Sequence, residues 1–291
     1  MKTLTVQSPA KLNLHLRVLG RRPDGYHELL TLFHRISLAD TLIIRKRVRG
    51  FRLTTDHKGL DTGEGNLITK AYRALRAKYP RLGGVSVRLI KRVPLGGGLG
   101  GGSSNAAFFL LGMKQLFGLP VSGKTLRAMG KALGADVPFF LARHSQAIAG
   151  GIGEKITPCP RKRRLWFLLL VSEQGLNTKK VYQGLRRGRR PLSLTKERRV
   201  VKILLTFLEK KRIREAAALV RNDLESSAFD LRPALPKVIA VLKRSGAPLA
   251  RMTGSGPTLF AVFSNRKEVI DFAEKLRHVP IPLRKVICHS V

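Results

Sequence analysis

The sequence predicts an α+β protein with two domains, residues 1–157 and 158–291. Apolar residues alternate at period two through residues 3–19, as in β-strands, whereas helical spacing occupies segments such as residues 233–245. A basic stretch with two prolines, residues 158–164, changes the composition abruptly and is the best candidate for the boundary. With 291 residues, 43% of them hydrophobic, the chain can bury the core of one large domain or of two ordinary ones.

Composition excludes several classes of protein. No apolar run approaches the ~18 residues that a membrane-spanning helix needs. The first residues, Met1 to Val6, lack the long apolar segment of a signal peptide, so we expect a cytoplasmic protein. Two cysteines, Cys159 and Cys288, are too few for a disulfide framework or a cysteine-rich metal site, and they are expected to be reduced thiols.

The chain is strongly basic, because 56 Lys and Arg residues against 18 Asp and Glu residues leave a net charge of +38. Such a charge attracts polyanions. The basic residues are nevertheless dispersed along the sequence, which is typical of solvated turns and helix faces. Dedicated nucleic-acid binding is therefore not expected, although a nucleotide substrate would profit from the same field.

The first strand pattern carries polar residues on one side. Ser8-Pro9 interrupts the alternation and predicts two short strands or a bent one. Lys11, Asn13 and His15 then share a face, because side chains alternate along a strand. They form either part of a polar site or the wet face of an edge strand.

A turn follows, and it presents an aromatic pair. Pro23, Asp24 and Gly25 provide turn chemistry and deliver Tyr26 and His27 just beyond it, as ligand contacts or as simple packing residues. The strand pattern continues through residues 29–42, and residues 41–47 and 51–55 predict a further hairpin around Gly50.

Residues 95–107 form a glycine-rich loop followed by a helix. Six glycines in seven positions, 96–102, come after strand-like alternation in residues 85–90 and precede an apolar series. A flexible linker would have polar spacers on both sides. Backbone N–H groups free of Cβ atoms, together with a helix N-terminus, instead predict a phosphate-binding site.

A second glycine motif, residues 118–125, satisfies the G-x-x-x-x-G-K-T spacing of a P-loop. A P-loop must follow a buried strand, whereas the residues before Gly118 continue a helix. Pro120 and Ser122 indicate a helix stop and an N-cap, so Lys124 is placed in the first turn of another helix. Asn66 likewise opens a helix that ends near residue 80.

Asp136 lies between small and apolar residues just before Val137-Pro138, at a predicted helix junction where it either caps the helix or serves as a rigidly held base.

Residues 146–156 predict a glycine-rich strand or hairpin. The later chain predicts a buried strand at residues 165–171, helices at 196–211, 213–221 and 266–277, and a strand at 283–288. A short helix follows Asn177, a basic loop spans residues 186–191, and residues 253–256 form a second small-residue loop that is either a hairpin turn or a ligand contact.

Phosphoryl transfer needs more than a phosphate loop. It requires a cation to stabilise the transferred group and a residue that orients or deprotonates the accepting hydroxyl. Lys11 can supply the fixed cation, and Asp136 can supply the base.

Three segments, Ser8–Leu14, Pro94–Ser104 and Thr253–Gly256, resemble the signature segments of the GHMP small-molecule kinases. Within that family, residues 22–29 and 134–138 resemble the members that phosphorylate the C2 hydroxyl of a diphosphocytidyl-linked methylerythritol in non-mevalonate isoprenoid precursor biosynthesis. The resemblance implies an N-terminal domain like the second domain of ribosomal protein S5 and a ferredoxin-like C-terminal domain.

The resemblance also implies roles for individual residues, with ATP and Mg²⁺ as cofactors. Asp136 would activate the substrate hydroxyl, and Lys11 would balance charge beside it; both are the implied catalytic residues. The implied ATP-binding residues are Pro94, Leu95, Gly96, Gly97, Gly98, Leu99, Gly100, Gly101, Gly102, Ser103 and Ser104, with Asn66 near the adenine, and the implied substrate-binding residues are Asn13, Tyr26, His27, Thr178, Tyr182, Gly254 and Ser255. The motifs indicate neither the oligomeric state nor a carboxylate ligand for Mg²⁺.

Two other functions compete with this one. An S5-like fold with a net charge of +38 also suits an RNA-binding protein, which would need neither Asp136 nor a glycine cradle. A GHMP kinase for homoserine or mevalonate would share the loop without needing Tyr26 and His27.

Overall fold

Long strands begin the chain, and helices alternate with shorter strands after them. The computed structural model describes residues 2–142, 144–159, 163–185, 192–276 and 279–291. The predicted basic loop at 186–191 and part of the basic stretch at 158–164 lie outside these residues. The strands are β1 (Thr3–Arg21), β2 (His27–Arg47), β3 (Phe51–Thr55), β4 (Gly84–Ile90), β5 (Gln146–Gly151), β6 (Lys155–Pro158), β7 (Trp166–Val171), β8 (Leu249–Met252), β9 (Leu259–Phe263) and β10 (Arg284–His289). The helices are α1 (Leu67–Lys78), α2 (Gly101–Phe117), α3 (Gly123–Leu133), α4 (Val137–Leu141), α5 (Thr178–Gln183), α6 (Leu194–Glu209), α7 (Ile213–Leu219), α8 (Glu225–Leu231), α9 (Ala234–Arg244) and α10 (Arg266–Lys275).

The residues group into two compact units that interleave along the sequence. The first unit contains Met1–Ala10, Leu38–Val93 and Gly100–His144, and the second contains Lys11–Ser37, Pro94–Leu99 and Ser145–Val291. Strands β1 and β2 each run through both units, because they cross residues 10–11 and 37–38. The division after residue 157 stays a prediction.

In the first unit, β4 pairs antiparallel with residues 41–47 of β2 and parallel with β3. Strand β4 therefore lies between β2 and β3, and the predicted hairpin of residues 41–47 with 51–55 is wrong. Alternation specifies which face of a strand is buried, but it does not specify the neighbouring strand.

Helices α1 to α4 complete the first unit, and α2 packs against α1, α3 and α4. Asn66 caps α1 by accepting a hydrogen bond from the Ile68 N–H, and Ser122 caps α3 by accepting one from the Thr125 N–H. Gly118 ends α2 in the left-handed region, with φ +63°. The segment from Gly118 to Thr125 thus joins two helices, which confirms that it lacks the strand that a P-loop requires.

In the second unit, residues 29–34 of β2 pair with β5, and β5 and β6 form a hairpin. A separate antiparallel sheet has the strand order β10-β7-β9-β8. Its chain order, a strand, helices, two hairpin strands, a helix and a strand, is that of a ferredoxin-like domain. The structure thus confirms the predicted α+β class and contains two sheets. Within the described residues, the strands and helices predicted from residue 146 onward lie within a few residues of their expected bounds.

Of the two arrangements predicted at Ser8-Pro9, two short strands are excluded, since β1 is continuous over 19 residues. Among the described ranges, no helix combines the length and the apolar character that a bilayer crossing needs.

Candidate active site

The polar side of β1 is buried in the second unit. Lys11 and Asn13 are each 4% exposed and His15 is 1% exposed, so these residues do not form a wet edge. The Lys11 ammonium donates a hydrogen bond to Asn13 Oδ1 at 2.5 Å and lies 5.1 Å from the centre of the Phe33 ring. A buried ammonium needs such partners, because desolvation otherwise disfavours its charge.

Hydrogen bonds fix the Asn13 side chain from its other end. Asn13 Nδ2 donates to Thr31 Oγ1 at 2.8 Å, and that hydroxyl donates to the His15 carbonyl oxygen at 2.8 Å. The Asn13 backbone N–H donates to Thr253 Oγ1 at 2.8 Å, which connects β1 to the loop between β8 and β9. Asn13, which accepts the hydrogen bond of the Lys11 ammonium, is therefore held by β2 and by the loop after β8.

His15 itself is held as a neutral group. Burial, together with the nearby positive charges of Arg17 and Arg221, lowers its pKa to about 4. His15 Nδ1 accepts a hydrogen bond from the Arg221 backbone N–H at 3.3 Å, which fixes the ring. It is consequently a structural member of the polar side and cannot act as a cation there near pH 7.

The small-residue loop between β8 and β9 approaches Lys11 closely. Gly254 has φ +56°, and a Cβ atom placed on it would lie 3.1 Å from Asn13 Oδ1 and 3.7 Å from Lys11 Nζ. Asn222 holds this loop, since its Nδ2 donates to the carbonyl oxygens of Met252 at 2.8 Å and Gly254 at 2.9 Å. The local sequence does not reveal this role, because nothing in it distinguishes Asn222 from an ordinary asparagine in a turn or helix junction.

The first part of the glycine loop, Pro94–Leu99, packs against the same elements. A Cβ atom on Gly98, which has φ +74°, would lie 2.6 Å from the Thr253 carbonyl oxygen. A Cβ atom on Gly97 would lie 2.9 Å from Thr258 Oγ1. The Lys11 backbone N–H donates to the Leu99 carbonyl oxygen at 3.0 Å. These glycines are therefore required by close backbone approach, which a linker does not have.

Four of the residues predicted to bind substrate form two contacting pairs in the second unit. The His27 and Tyr182 rings stack with centroids 5.4 Å apart and planes 28° apart. The Thr178 and Ser255 hydroxyls are 2.9 Å apart and share a hydrogen bond. Tyr26, by contrast, is 61% exposed. Partial burial, assisted by the charge of Arg21, lowers the pKa of His27, so its imidazole is neutral near pH 7.

The second part of the glycine loop begins α2 in the first unit. Gly100 precedes the helix with φ +68°, and the first turn contains no acidic residue. Ser104 Oγ donates to the Pro9 carbonyl oxygen at 2.7 Å and accepts from Ser8 Oγ at 2.8 Å. The serine therefore fastens the helix start to β1. The first N–H groups of a helix have no intrahelical acceptor, so this terminus can bind an anion.

A buried carboxylate that sequence reasoning missed supports the chain on both sides of that loop. Asp40 is fully buried, and its Oδ1 accepts from the backbone N–H groups of Arg92 at 2.7 Å and Val93 at 2.8 Å. Its Oδ2 accepts from Lys91 Nζ and from Asn105 Nδ2, the latter at 3.0 Å. Asp40 thereby joins the end of β4 to the first turns of α2. Its sequence context, an acid within a strand pattern, does not reveal this role.

Asp136 and Asn66 lie in the first unit. Asp136 precedes α4 in helical conformation, with φ −82° and ψ −18°, and its side chain does not cap that helix. Asn66 Oδ1 accepts from the Ile68 N–H at 2.9 Å and its Nδ2 donates to the Asp61 carbonyl oxygen at 2.6 Å, so both ends of its amide are engaged in the helix start. Its proximity to adenine stays a prediction. Within the described ranges, no group of three His, Cys, Asp or Glu side chains is arranged to hold a metal ion.

Comparison with known proteins bears on both units. The chain matches two family models, described as the GHMP kinases N terminal domain over residues 66–144 and the GHMP kinases C terminal over residues 204–281. It is 38% identical to the 4-diphosphocytidyl-2-C-methyl-D-erythritol kinase of Geobacter sulfurreducens, across 95% of this chain and 96% of that protein. It is 40% identical to the enzyme of the same name from Syntrophus aciditrophicus, across 90% of each.

Solved structures agree with this relationship. The crystal structure of a 4-(cytidine 5'-diphospho)-2C-methyl-D-erythritol kinase matches with a TM-score of 0.82 and 33% identity, covering 99% of this chain and 100% of that one. A homoserine kinase from Cytophaga hutchinsonii matches with a TM-score of 0.75 at 17% identity, over 100% of this chain and 95% of that one. The second likeness shows a shared fold alone.

Proposed function

Because the chain belongs to the GHMP kinase family, and within it to the 4-diphosphocytidyl-2-C-methyl-D-erythritol kinases, we propose that it transfers the γ-phosphoryl group of ATP to the C2 hydroxyl of 4-diphosphocytidyl-2-C-methyl-D-erythritol. The observation that carries the proposal is the buried Lys11 ammonium beside Gly254 in a unit that also fixes the loop Pro94–Leu99. A desolvated cation near a glycine-rich phosphate loop suits the charge of a transferred phosphoryl group.

The glycine loop is proposed to bind the ATP phosphates. Its glycines allow backbone N–H groups to approach an anion, and the positive end of a helix dipole, such as that at the start of α2, favours negative charge. Mg²⁺ is proposed to arrive with ATP. That ion keeps several waters and is commonly held by substrate phosphates with one or two carboxylates, so it does not need a cluster of protein ligands.

Asp136 is proposed as the base that activates the substrate hydroxyl, with Lys11 balancing the charge. The Asp136→Asn variant keeps the shape of the side chain and removes its basicity. We expect turnover to fall by about 10²- to 10⁴-fold, the usual contribution of general base catalysis, with ATP affinity unchanged. ADP release measured in a coupled assay, beside direct nucleotide titration, checks both parts. Turnover retained in Asp136→Asn would remove this residue from the mechanism.

Lys11 offers a comparison with a second lysine. Lys11→Met keeps the aliphatic length and removes the charge, so kcat is expected to fall strongly. Lys124→Met removes the same charge from the exposed P-loop-like segment and is expected to leave ATP affinity and kcat unchanged. A large loss of ATP affinity in Lys124→Met would restore the P-loop interpretation of residues 118–125.

His27 and Tyr182 are proposed to recognise cytosine, the first by hydrogen bonds to the base edge and the second by stacking. Stacking on an aromatic side chain contributes about 1–3 kcal/mol per base, so Tyr182→Leu is expected to raise KM for the alcohol by roughly 5- to 150-fold. His27→Ala is expected to raise the same KM while KM for ATP stays constant. An equal effect of His27→Ala on both substrates would contradict the cytosine role.

The choice of substrate is tested by competition. The coupled ADP assay is run with the diphosphocytidyl alcohol, homoserine and mevalonate at equal concentrations. We expect turnover with the diphosphocytidyl alcohol only, because the stacked His27–Tyr182 pair suits a base that the other two alcohols lack. Comparable kcat/KM for homoserine or mevalonate would overturn the assignment.

A further inference from the structure

A concave basic surface lies on the exposed side of β2, β4 and β3 in the first unit. The inward-facing residues of these strands, such as Ile44, Leu53 and Val87, are buried, so period-two alternation places the intervening residues outside. The surface encloses a cavity of about 830 Å³ without any acidic residue in its lining. We call this surface the basic face and define it by its five exposed arginines, Arg45, Arg47, Arg49, Arg52 and Arg88.

The strand register brings arginines from distant parts of the sequence together. Arg45 of β2 and Arg52 of β3 are both in register with Ser86 of β4, one on each side. Neighbouring strands are about 4.8 Å apart, so the Cα atoms of the two arginines are about 10 Å apart with a small hydroxyl residue between them. In the next row, Arg88 stands between Ile43 and Thr54. The other residues of these two rows, Ser86, Ile43 and Thr54, are small or uncharged and lie beside the arginines.

The charge of the basic face is not compensated. Sheets normally place opposite charges across strands, because like charges at close register are destabilising. Among the ion pairs of the residues that the structure describes, none involves the five arginines of the basic face. Arginines elsewhere do pair, for example Arg22 with Asp24 and Arg251 with Glu225. A group of guanidinium groups without acidic partners can bind an external anion.

The distribution of charge favours a polyanion over a single phosphate. Arginine matches phosphate by its planar, bidentate donors, and five arginines, three of them in two adjacent rows of the sheet, can engage several phosphates in succession. The lining contains no aromatic residue on which a base could stack, so contacts would be to the backbone and independent of sequence. A bilayer surface is flat and does not match a concave site. The net charge of +38 adds long-range attraction for a polymer.

We propose that the basic face binds the phosphodiester backbone of nucleic acid without sequence preference. This binding lies beyond the kinase activity and does not depend on it. The sequence predicts a solvated surface, because its basic residues are dispersed along the chain. Residues 45, 52 and 88 belong to three different strands, and the pairing of these strands places them on one face. Their spacing in the sequence does not reveal this clustering.

The test is the salt dependence of binding to labelled single-stranded RNA and DNA of one sequence, about 20 nucleotides long, followed by fluorescence anisotropy. The test variant is Arg45→Gln/Arg52→Gln/Arg88→Gln. The matched control, Arg198→Gln/Arg199→Gln/Lys202→Gln, removes the same charge from exposed positions on α6. Each lost phosphate contact reduces the slope of log K against log salt by about 0.7 for single strands, so the test variant is expected to lose about 2 in slope and the control almost nothing.

Several outcomes would overturn the proposal. Equal losses in the two triple variants would show that net charge alone attracts the polymer. A preference of more than about tenfold for RNA over DNA would show contacts to the sugar rather than the phosphates. Binding of anionic vesicles with no binding of either oligonucleotide at about 50 mM salt would assign the face to membranes. Circular dichroism and kinase turnover establish that both variants are folded. If the triple variant does not fold, Arg52→Gln and Arg88→Gln are measured singly, each with an expected slope change of about 0.7.

Discussion

Replacement of Asp40 tests how the chain holds the segment that leads into the glycine loop. The carboxylate is fully buried and accepts hydrogen bonds from the N–H groups of Arg92 and Val93 and from the side chains of Lys91 and Asn105. Each carboxylate oxygen faces two donors. In Asp40→Asn one oxygen becomes an NH₂ group, and either orientation of the amide directs this donor at other donors.

The expected loss of stability is large. The Lys91 side chain is 3% exposed, so Asp40→Asn leaves a buried ammonium without its counter-charge. Removing one partner of a buried ion pair costs about 3–5 kcal/mol. The whole free energy of unfolding of a protein is about 5–15 kcal/mol, so a large share would be lost. Because the backbone of Arg92 and Val93 is also released, KM for ATP is expected to rise in whatever fraction remains folded.

Asp56 provides the matched control. It accepts hydrogen bonds from the Lys91 backbone N–H at 2.8 Å and from Arg92 Nη1 at 3.0 Å, so it contacts two of the same residues from the surface. The Lys91 N–H bond holds the pKa of Asp56 below its usual value, but solvent screens the carboxylate. Asp56→Asn is therefore expected to destabilise the protein much less than Asp40→Asn.

Urea unfolding followed by circular dichroism measures both variants. The double variant Asp40→Asn/Lys91→Met removes the stranded ammonium and is expected to recover part of the loss, as double-mutant cycles reveal for coupled residues. The reasoning would be refuted if Asp40→Asn unfolded within about 1 kcal/mol of the unsubstituted protein, or if it lost no more stability than Asp56→Asn.

Three further predictions concern backbone, pH and thiols. Gly98→Ala is expected to abolish ATP binding, because the added Cβ would lie 2.6 Å from the Thr253 carbonyl oxygen. Gly118→Ala is the control, because Gly118 also has a positive φ but has open space around it. It is expected to lower the free energy of unfolding in urea by only about 1 kcal/mol and to keep ATP affinity. Folding lowers the pKa of His15 from 6.5 to about 4, so the unfolded chain binds the proton at a higher pH than the folded chain does. About 3 kcal/mol of the free energy of unfolding is therefore expected to be lost as pH falls from 6.5 to 4. In His15→Asn, the free energy of unfolding should depend less on pH across that range. Burial raises the pKa of the Cys288 thiol strongly, so a thiol reagent such as dithionitrobenzoate is expected to label the more exposed Cys159 first, and equal labelling rates would contradict this order.

Local signals were sufficient to predict the helix starts and the order of strand, glycine loop and helix. Asn66 and Ser122 were predicted as caps, and both accept the expected backbone hydrogen bonds. A cap works within one turn, so its residue type and its effect lie in the same short stretch. The glycine loop was equally visible, since strand, glycines and helix follow one another directly in residues 85–107.

Features that depend on distant partners were not visible. The hairpin predicted around Gly50 is wrong because β4, at Gly84–Ile90, lies between the two strands. Asp40 and Asn222 each hold a segment of the proposed site through hydrogen bonds to residues far along the chain, and asparagine and aspartate at such positions fit many roles. The basic face was hidden for the same reason, since register and not sequence proximity brings its arginines together.

The polar side of β1 shows why pattern alone left two interpretations open. Lys11, Asn13 and His15 at period two look the same whether they face solvent or a site, because alternation reports a shared face and not its surroundings. Their burial is decided by Thr31 and Thr253, which satisfy Asn13 from β2 and from the loop after β8. Burial of an ammonium opposes folding unless it is paired, and an apolar residue at position 11 would serve packing at lower cost. A lysine at this position, beside a glycine whose missing side chain leaves room near its nitrogen, therefore supports the proposed place of Lys11 in phosphoryl transfer.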